Sequence, residues 1–316
     1  MPSIFPLHVL APYVFLAATS FSASVLAHSH INYILINDLL YRGFDPTGRF
    51  PNPSNPIGWS TSADDDGFVP PSNYSTHDII CHRDGSPSKA HAPVKAGDKI
   101  HVQWNGWPAS HRGPVMSYLA PCANLNTTDG CGSVDKTQLL WTKIDNSSPV
   151  LISEVGGPPG NWATDVLIAS NNSWLVGIPA DLEPGPYVLR HEIIALHYAS
   201  KKDGAQNYPQ CLNLWVEGTE KEKRAPPAVA TKVVSIAPGA GTPATRLYKS
   251  TDPGVKIDIY STLSTYVIPG PTVVSWATPV PLGRQEKLSM STAEGTPVLV
   301  SGTRTVPFPA KATVEL

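Results

Sequence analysis

The chain is short of everything that would tie it to a charged polymer or a bilayer. Its formal net charge is −2, from 23 Lys and Arg against 25 Asp and Glu, and its basic residues form no long block. Nucleic acid and an anionic membrane surface are therefore poor partners for it. Beyond residue 27, no apolar run approaches the ~20 residues that a membrane-spanning helix needs. Only four cysteines and three methionines occur in 316 residues. Proline and glycine are abundant instead, at 33 and 24, and interrupt the chain too often for long helices.

Residues 1–27 read as an export signal. An apolar stretch from Val9 to Leu16 gives way to small residues and then to Val25-Leu26-Ala27, the small-x-small pattern at which signal peptidase cuts. Cleavage there makes His28 the new N-terminus and places the mature chain outside the cell. An even number of cysteines in an exported chain implies two disulfides, with three pairings open. Cys122 and Cys131 lie close enough to staple a local loop, in which case Cys81 and Cys211 close a long one. Asn73, Asn126, Asn146 and Asn171 each open an Asn-x-Ser/Thr sequon, a glycan acceptor expected on a surface loop.

Segments rich in β-branched and aromatic residues, bounded by turn formers, predict strands over 31–36, 99–104, 114–119, 150–154, 165–169, 174–178, 186–197 and 212–217. Many short strands without alternating helices predict an all-β sandwich. Residues 43–92 carry little strand pattern and many prolines, the mark of a long decorating loop. From 277 to 316 the chain is rich in Thr, Pro, Val and Ala and lacks cysteine, which predicts a disordered tail behind a domain at 28–276.

Three groups of residues carry chemistry. An N-terminal His28 offers its α-amine and its imidazole Nδ1 to one metal ion, and a second histidine would complete a T-shaped site of three nitrogens, the tetragonal kind that suits Cu(II). His111, in Trp107-Pro-Ala-Ser-His111-Arg-Gly113-Pro114, occupies a turn directly before a strand, where a side chain is aimed rigidly. His197 ends the longest strand, and Gln206 and Tyr208, two apart, share one face of the next extended segment.

These stretches resemble the auxiliary activity family 9 lytic polysaccharide monooxygenases, fungal copper enzymes that cut cellulose and related glucans oxidatively. The resemblance runs from His28 to about Trp276. It includes Asp78-Ile-Ile-Cys-His82, Gln103-Trp104, Ser110-His-Arg-Gly-Pro-Val115, Val134-Asp-Lys-Thr137, Tyr187-Val-Leu-Arg-His-Glu-Ile-Ile-Ala-Leu-His197 and Gly204-Ala-Gln-Asn-Tyr-Pro-Gln-Cys211. It implies an immunoglobulin-like or fibronectin-like sandwich with a flat copper-bearing face. One copper ion would be held by His28, His111 and a distant Tyr208, with His197 and Gln206 as the outer-sphere pair and a Cys81–Cys211 disulfide.

The resemblance further implies attack at C1 or C4 of a β-1,4-glucan, with dioxygen or hydrogen peroxide and an external electron donor, by a secreted monomer. Tyr74 and Tyr248 are candidates for stacking against sugar rings. Arg112 stands where many relatives have another histidine. The small cysteine-rich module that some relatives append has no counterpart after Trp276. A rival reading is a non-catalytic copper-binding protein, which would keep His28 and His111 but would not need His197 and Gln206.

Overall fold

The computed structural model describes residues 29–307 apart from 124, 126, 148–156, 218–232, 238 and 303. The export signal, His28, the Asn126 sequon and the expected strand at 150–154 lie outside the described residues.

Among the described residues twelve strands form two sheets. They are β1 (Ile31–Ile36), β2 (Leu39–Arg42), β3 (Ala90–Lys95), β4 (Lys99–Trp104), β5 (Val115–Pro121), β6 (Leu140–Asp145), β7 (Ser173–Gly177), β8 (Gly185–Ala195), β9 (Gln206–Glu217), β10 (Thr242–Pro243), β11 (Val298–Ser301) and β12 (Arg304–Pro307). One sheet has the order β2-β1-β4-β7 and the other β10-β6-β5-β8-β9-β3-β11-β12. Among these pairings only β3 with β9 is parallel. Trp104, Trp141, Trp162 and Trp174 are the largest side chains fully buried in the core. The architecture is the β-sandwich expected from the strand pattern.

The longest pairing, β8 with β9, runs from Gly185 opposite Val216 to Ala195 opposite Gln206. Every residue of β8 is buried, on both faces. His191 looks across to Trp104 of the other sheet, with ring centroids 5.9 Å apart. Arg190 turns the opposite way and donates to the carbonyls of Ile79 and Ile80, at 2.9 and 2.8 Å, in the short helix α1 (Asp78–Cys81). The long loop thus covers the outer face of β8.

Both disulfides form, Cys81–Cys211 and Cys122–Cys131. The first spans 130 residues and ties α1 to β9; the second spans nine. In the chain-entropy picture they stabilise by about 5 and about 2.5 kcal/mol respectively.

Two expectations need correction. Residues 165–169 are not a strand but the greater part of helix α2 (Ala163–Ala169). The Asp165 carboxylate accepts the Trp162 N–H at 2.7 Å, satisfying a donor at the helix start, and Ala163 and Leu167 fall on one buried face. The segment expected to be a disordered tail is packed as far as it is described. Leu40 N–H donates to Ala293 O and Gly295 N–H to Leu40 O, both at 2.8 Å, and Gln285 accepts the Leu175 N–H at 2.7 Å. Strand β11 then pairs with β3. Val280, Leu288, Val298 and Val300 are buried, so the tail supplies apolar anchors as well as partners for two sheet edges.

Candidate active site

Gly113 sets the end of β8 against the turn before β5. A Cβ at this position would stand 1.8 Å from the Ile194 carbonyl oxygen, so only glycine permits the approach. Gly113 N–H donates to Thr164 Oγ1 at 3.1 Å, and Leu196 N–H to Arg112 O at 2.8 Å. His111 and His197 flank this junction, and their rings meet with centroids 4.0 Å apart and planes at 37°. The turn is braced internally. Trp107 Nε1–H donates to the His111 carbonyl at 2.8 Å, His111 N–H to Pro108 O at 2.9 Å, and Ser110 Oγ lies 3.1 Å from His111 Nδ1.

Gln206 opens β9 opposite Ala195, two residues before His197. The Tyr208 hydroxyl donates to Gln206 Oε1 at 2.9 Å. Tyr208 is fully buried and meets Trp107 edge-on at 5.0 Å, while Trp107 in turn meets His111 edge-on at 6.1 Å. Trp107 therefore links the two halves of the site. Burial first, and then the nearby Asp65 and Asp66 carboxylates, push the Tyr208 phenol well above its ordinary value, so it stays protonated.

The described chain begins beside this group. Ser29 Oγ donates to Asn105 Oδ1 at 2.5 Å, His30 N–H reaches the same oxygen at 3.2 Å, and Asn105 N–H donates to the His30 carbonyl at 3.0 Å. His30 Nδ1 lies 2.5 Å from Asp66 Oδ1, both buried. Asn105 precedes the His111 turn, so one carboxamide joins that turn to the residues following His28.

Among the described residues no three His, Cys, Asp or Glu side chains are grouped to hold a metal. The groups that could serve a metal here are mixed: the His111 imidazole and the Tyr208 phenol, with His197 and Gln206 alongside. All four cysteines are in disulfides, so no thiolate competes. Nitrogen donors with a distant oxygen fit copper better than a soft, sulfur-seeking metal.

The two tyrosines expected on a sugar-binding face are not there. Tyr74 and Tyr248 are each only 4% exposed; the Tyr74 hydroxyl donates to Asn207 Oδ1 at 2.7 Å and that of Tyr248 to Glu192. The long loop and the segment after residue 240 fold back over β8 and bury both rings. Among the described residues the exposed rings are Phe50, 66% exposed in the long loop, Tyr198, 59% exposed with its ring 4.5 Å from that of His197, and Tyr260, 56% exposed. Ile257 N–H bonds to Ala199 O at 3.3 Å, so the loops of Tyr198 and Tyr260 adjoin. Tyr198 had a signal in the sequence, an aromatic at the start of the polar turn after His197. Of the sequons described, Asn171 is exposed and Asn73 and Asn146 are half-buried.

Fold and site together define a class: a β-sandwich that gathers two imidazoles, a carboxamide and a phenol at one end. A family model, Auxiliary Activity family 9 (formerly GH61), matches residues 28–266. AA9 family lytic polysaccharide monooxygenase A of Talaromyces verruculosus is 47% identical over 264 residues, which cover 83% of this chain and 73% of that one. The relative cel61A of Hypocrea jecorina is 46% identical over 282 residues, covering 88% and 74%. The extended catalytic domain of H. jecorina LPMO9A superimposes with a TM-score of 0.70 at 44% identity, covering 87% of this chain and 99% of that one. The chain belongs to auxiliary activity family 9, the lytic polysaccharide monooxygenases.

Proposed function

We propose that the exported, processed protein is a copper-dependent monooxygenase that cleaves β-1,4-glucan chains by oxidation at C1, C4 or both. Family membership supports the reaction class, and the meeting of His111, His197, Gln206 and Tyr208 at one end of the sandwich is the observation that carries the assignment. His28, by its amine and Nδ1, and His111 would hold the metal, with the Tyr208 hydroxyl as a further, more distant oxygen. Copper bound there would supply one-electron reduction from an external donor and activation of dioxygen or peroxide for hydroxylation at the glycosidic carbon.

The chain's own groups do the rest. Ser29 and His30 are pinned to Asn105, which fixes the first described residues beside the turn that carries His111. Gln206 gives its carbonyl oxygen to Tyr208, which leaves its amide N–H groups as the donors for a polar reactant. His197 lies against His111 and can hold or pass a proton at its imidazole. Tyr208 closes the floor below and excludes water there.

The test uses processed protein, copper, cellulose, a reductant and a peroxide source, with soluble products read by mass spectrometry. Aldonic acids or 4-keto sugars are expected from the wild type and none from His111→Ala. Tight copper binding without oxidised sugar from any glucan would favour a copper-binding protein without catalysis.

A glucan must also lie across the site, and Tyr198, against His197, and Tyr260, in the adjoining loop, are exposed rings available for stacking. Replacing both by Ala is expected to weaken cellulose binding by roughly 1 kcal/mol per ring, measured by depletion from solution. Unchanged binding would remove these rings from the platform.

A further inference from the structure

Gln206 and Tyr208 face the site, so the residue between them faces away, and its surroundings are unusually complete. Asn207 Nδ2 donates to Glu192 Oε1 at 2.8 Å, and its Oδ1 accepts the Tyr74 hydroxyl at 2.7 Å. Its backbone is held on the long-loop side as well: Val69 N–H donates to Asn207 O at 2.8 Å, and Asn207 N–H to Val69 O at 3.1 Å. Glu192 is in turn fixed by Arg190, whose guanidinium reaches its two oxygens at 2.6 and 3.0 Å, and by the Tyr248 hydroxyl. Arg190, Glu192 and Asn207 are all fully buried.

We propose that Asn207 is a positioning residue for this site: clamped to Glu192 and Tyr74, it fixes the pitch of the first residues of β9 and so aims Gln206 and Tyr208. This rests on the proposed reading of the site. Successive side chains of a strand point to opposite faces, so holding Asn207 by both amide atoms holds the faces of its two neighbours. The anchor is stiff because it is a closed network. Each polar atom of the Asn207 side chain has one partner, and Glu192 is shared among Arg190, Asn207 and Tyr248. The hydroxyls of Tyr74 and Tyr248 thus do their work behind the site, out of reach of substrate.

The test compares Asn207→Leu, which keeps the volume but neither hydrogen bond, with Tyr74→Phe, which removes one, and with Val188→Ala. Val188 is a buried residue toward the opposite end of β8, so its truncation serves as a control for lost stability. Two signatures are read. The first is the Gln206 side-chain amide and Tyr208 ring resonances of the metal-free protein. The second is the electron paramagnetic resonance spectrum of the copper-loaded protein.

Both signatures are expected to shift in Asn207→Leu and, less, in Tyr74→Phe. They should stay at wild-type positions in a Val188→Ala protein of equal or lower melting temperature. Turnover on glucan is expected to fall by on the order of tenfold or more in Asn207→Leu. If Asn207→Leu does not fold, Tyr74→Phe carries the comparison. Wild-type resonances and spectrum in whichever clamp variant folds, or equal shifts in Val188→Ala, would overturn the proposal. The metal-free resonances keep its fate separate from that of the oxygenase reading, which falls only if the wild type yields no oxidised sugar.

Discussion

A single missing side chain does more to build this site than any charged group. Gly113 lets the turn carrying His111 come within van der Waals distance of the Ile194 carbonyl, and with it the two imidazoles meet. Gly113→Ala would have to push the two segments apart. It is expected to lose at least about 2–3 kcal/mol of stability, read by denaturant titration, and to separate His111 from His197. A variant as stable as the wild type would mean that the approach is looser than the geometry implies. At this scale much of the site was legible: His111, His197, Gln206 and Tyr208 stand out because turns and strand ends aim side chains. Tyr74 and Tyr248 were misread for an equally physical reason. A tyrosine in a loop looks exposed until the loop is known to fold back, and here both hydroxyls end on the buried Asn207 and Glu192.

Among elements, the segment after residue 276 departs furthest from its composition. It hydrogen-bonds to Leu40 in β2 and to Leu175 in β7, the two edges of one sheet, and pairs with β3 in the other, so it binds the two sheets together. A chain ending at residue 276 is expected to melt at a lower temperature, because Val280, Leu288, Val298 and Val300 are removed from the packed structure and the apolar surface they cover is exposed. It should also self-associate through the uncovered edges, detectable by light scattering. Retained stability in a strictly monomeric truncation would reduce the segment to an ornament. Thr, Pro and Ala suggested disorder because composition counts residues, whereas an open strand edge is a partner only the fold creates. Helix α2 shows the converse: Asp165 is a local start signal, outweighed in the strand assignment by a run of Val, Leu and Ile.

For the whole molecule, acid is the expected weak point. Burial holds His82 at about 4, helped by the Arg83 charge, and burial likewise holds His91 at about 4 and His191 at about 3. Each stays neutral in the folded chain but binds a proton once unfolded, so their stabilising contribution is complete above the unfolded value near 6.5 and is lost as pH falls toward 4. Asp145 runs the other way. Burial raises it to about 6, so the folded chain holds that proton and gains stability as pH falls through 6. Three histidines against one aspartate leave a net uptake of about two protons on unfolding near pH 5. The melting temperature should therefore drop steadily from pH 6.5 to 4; a flat or rising profile would show that these rings are more hydrated than their burial indicates. The sequence by itself determined the sandwich and the possible cysteine partners, and it singled out the histidines His111 and His197 that the fold brings together, because alternation, turn chemistry and motif spacing are local properties. Tertiary structure alone decided which tyrosines stay exposed, that the C-terminal segment closes two sheet edges, and that Asn207 is clamped behind the site. Each of these depends on which distant backbone a residue meets, and no local pattern encodes that.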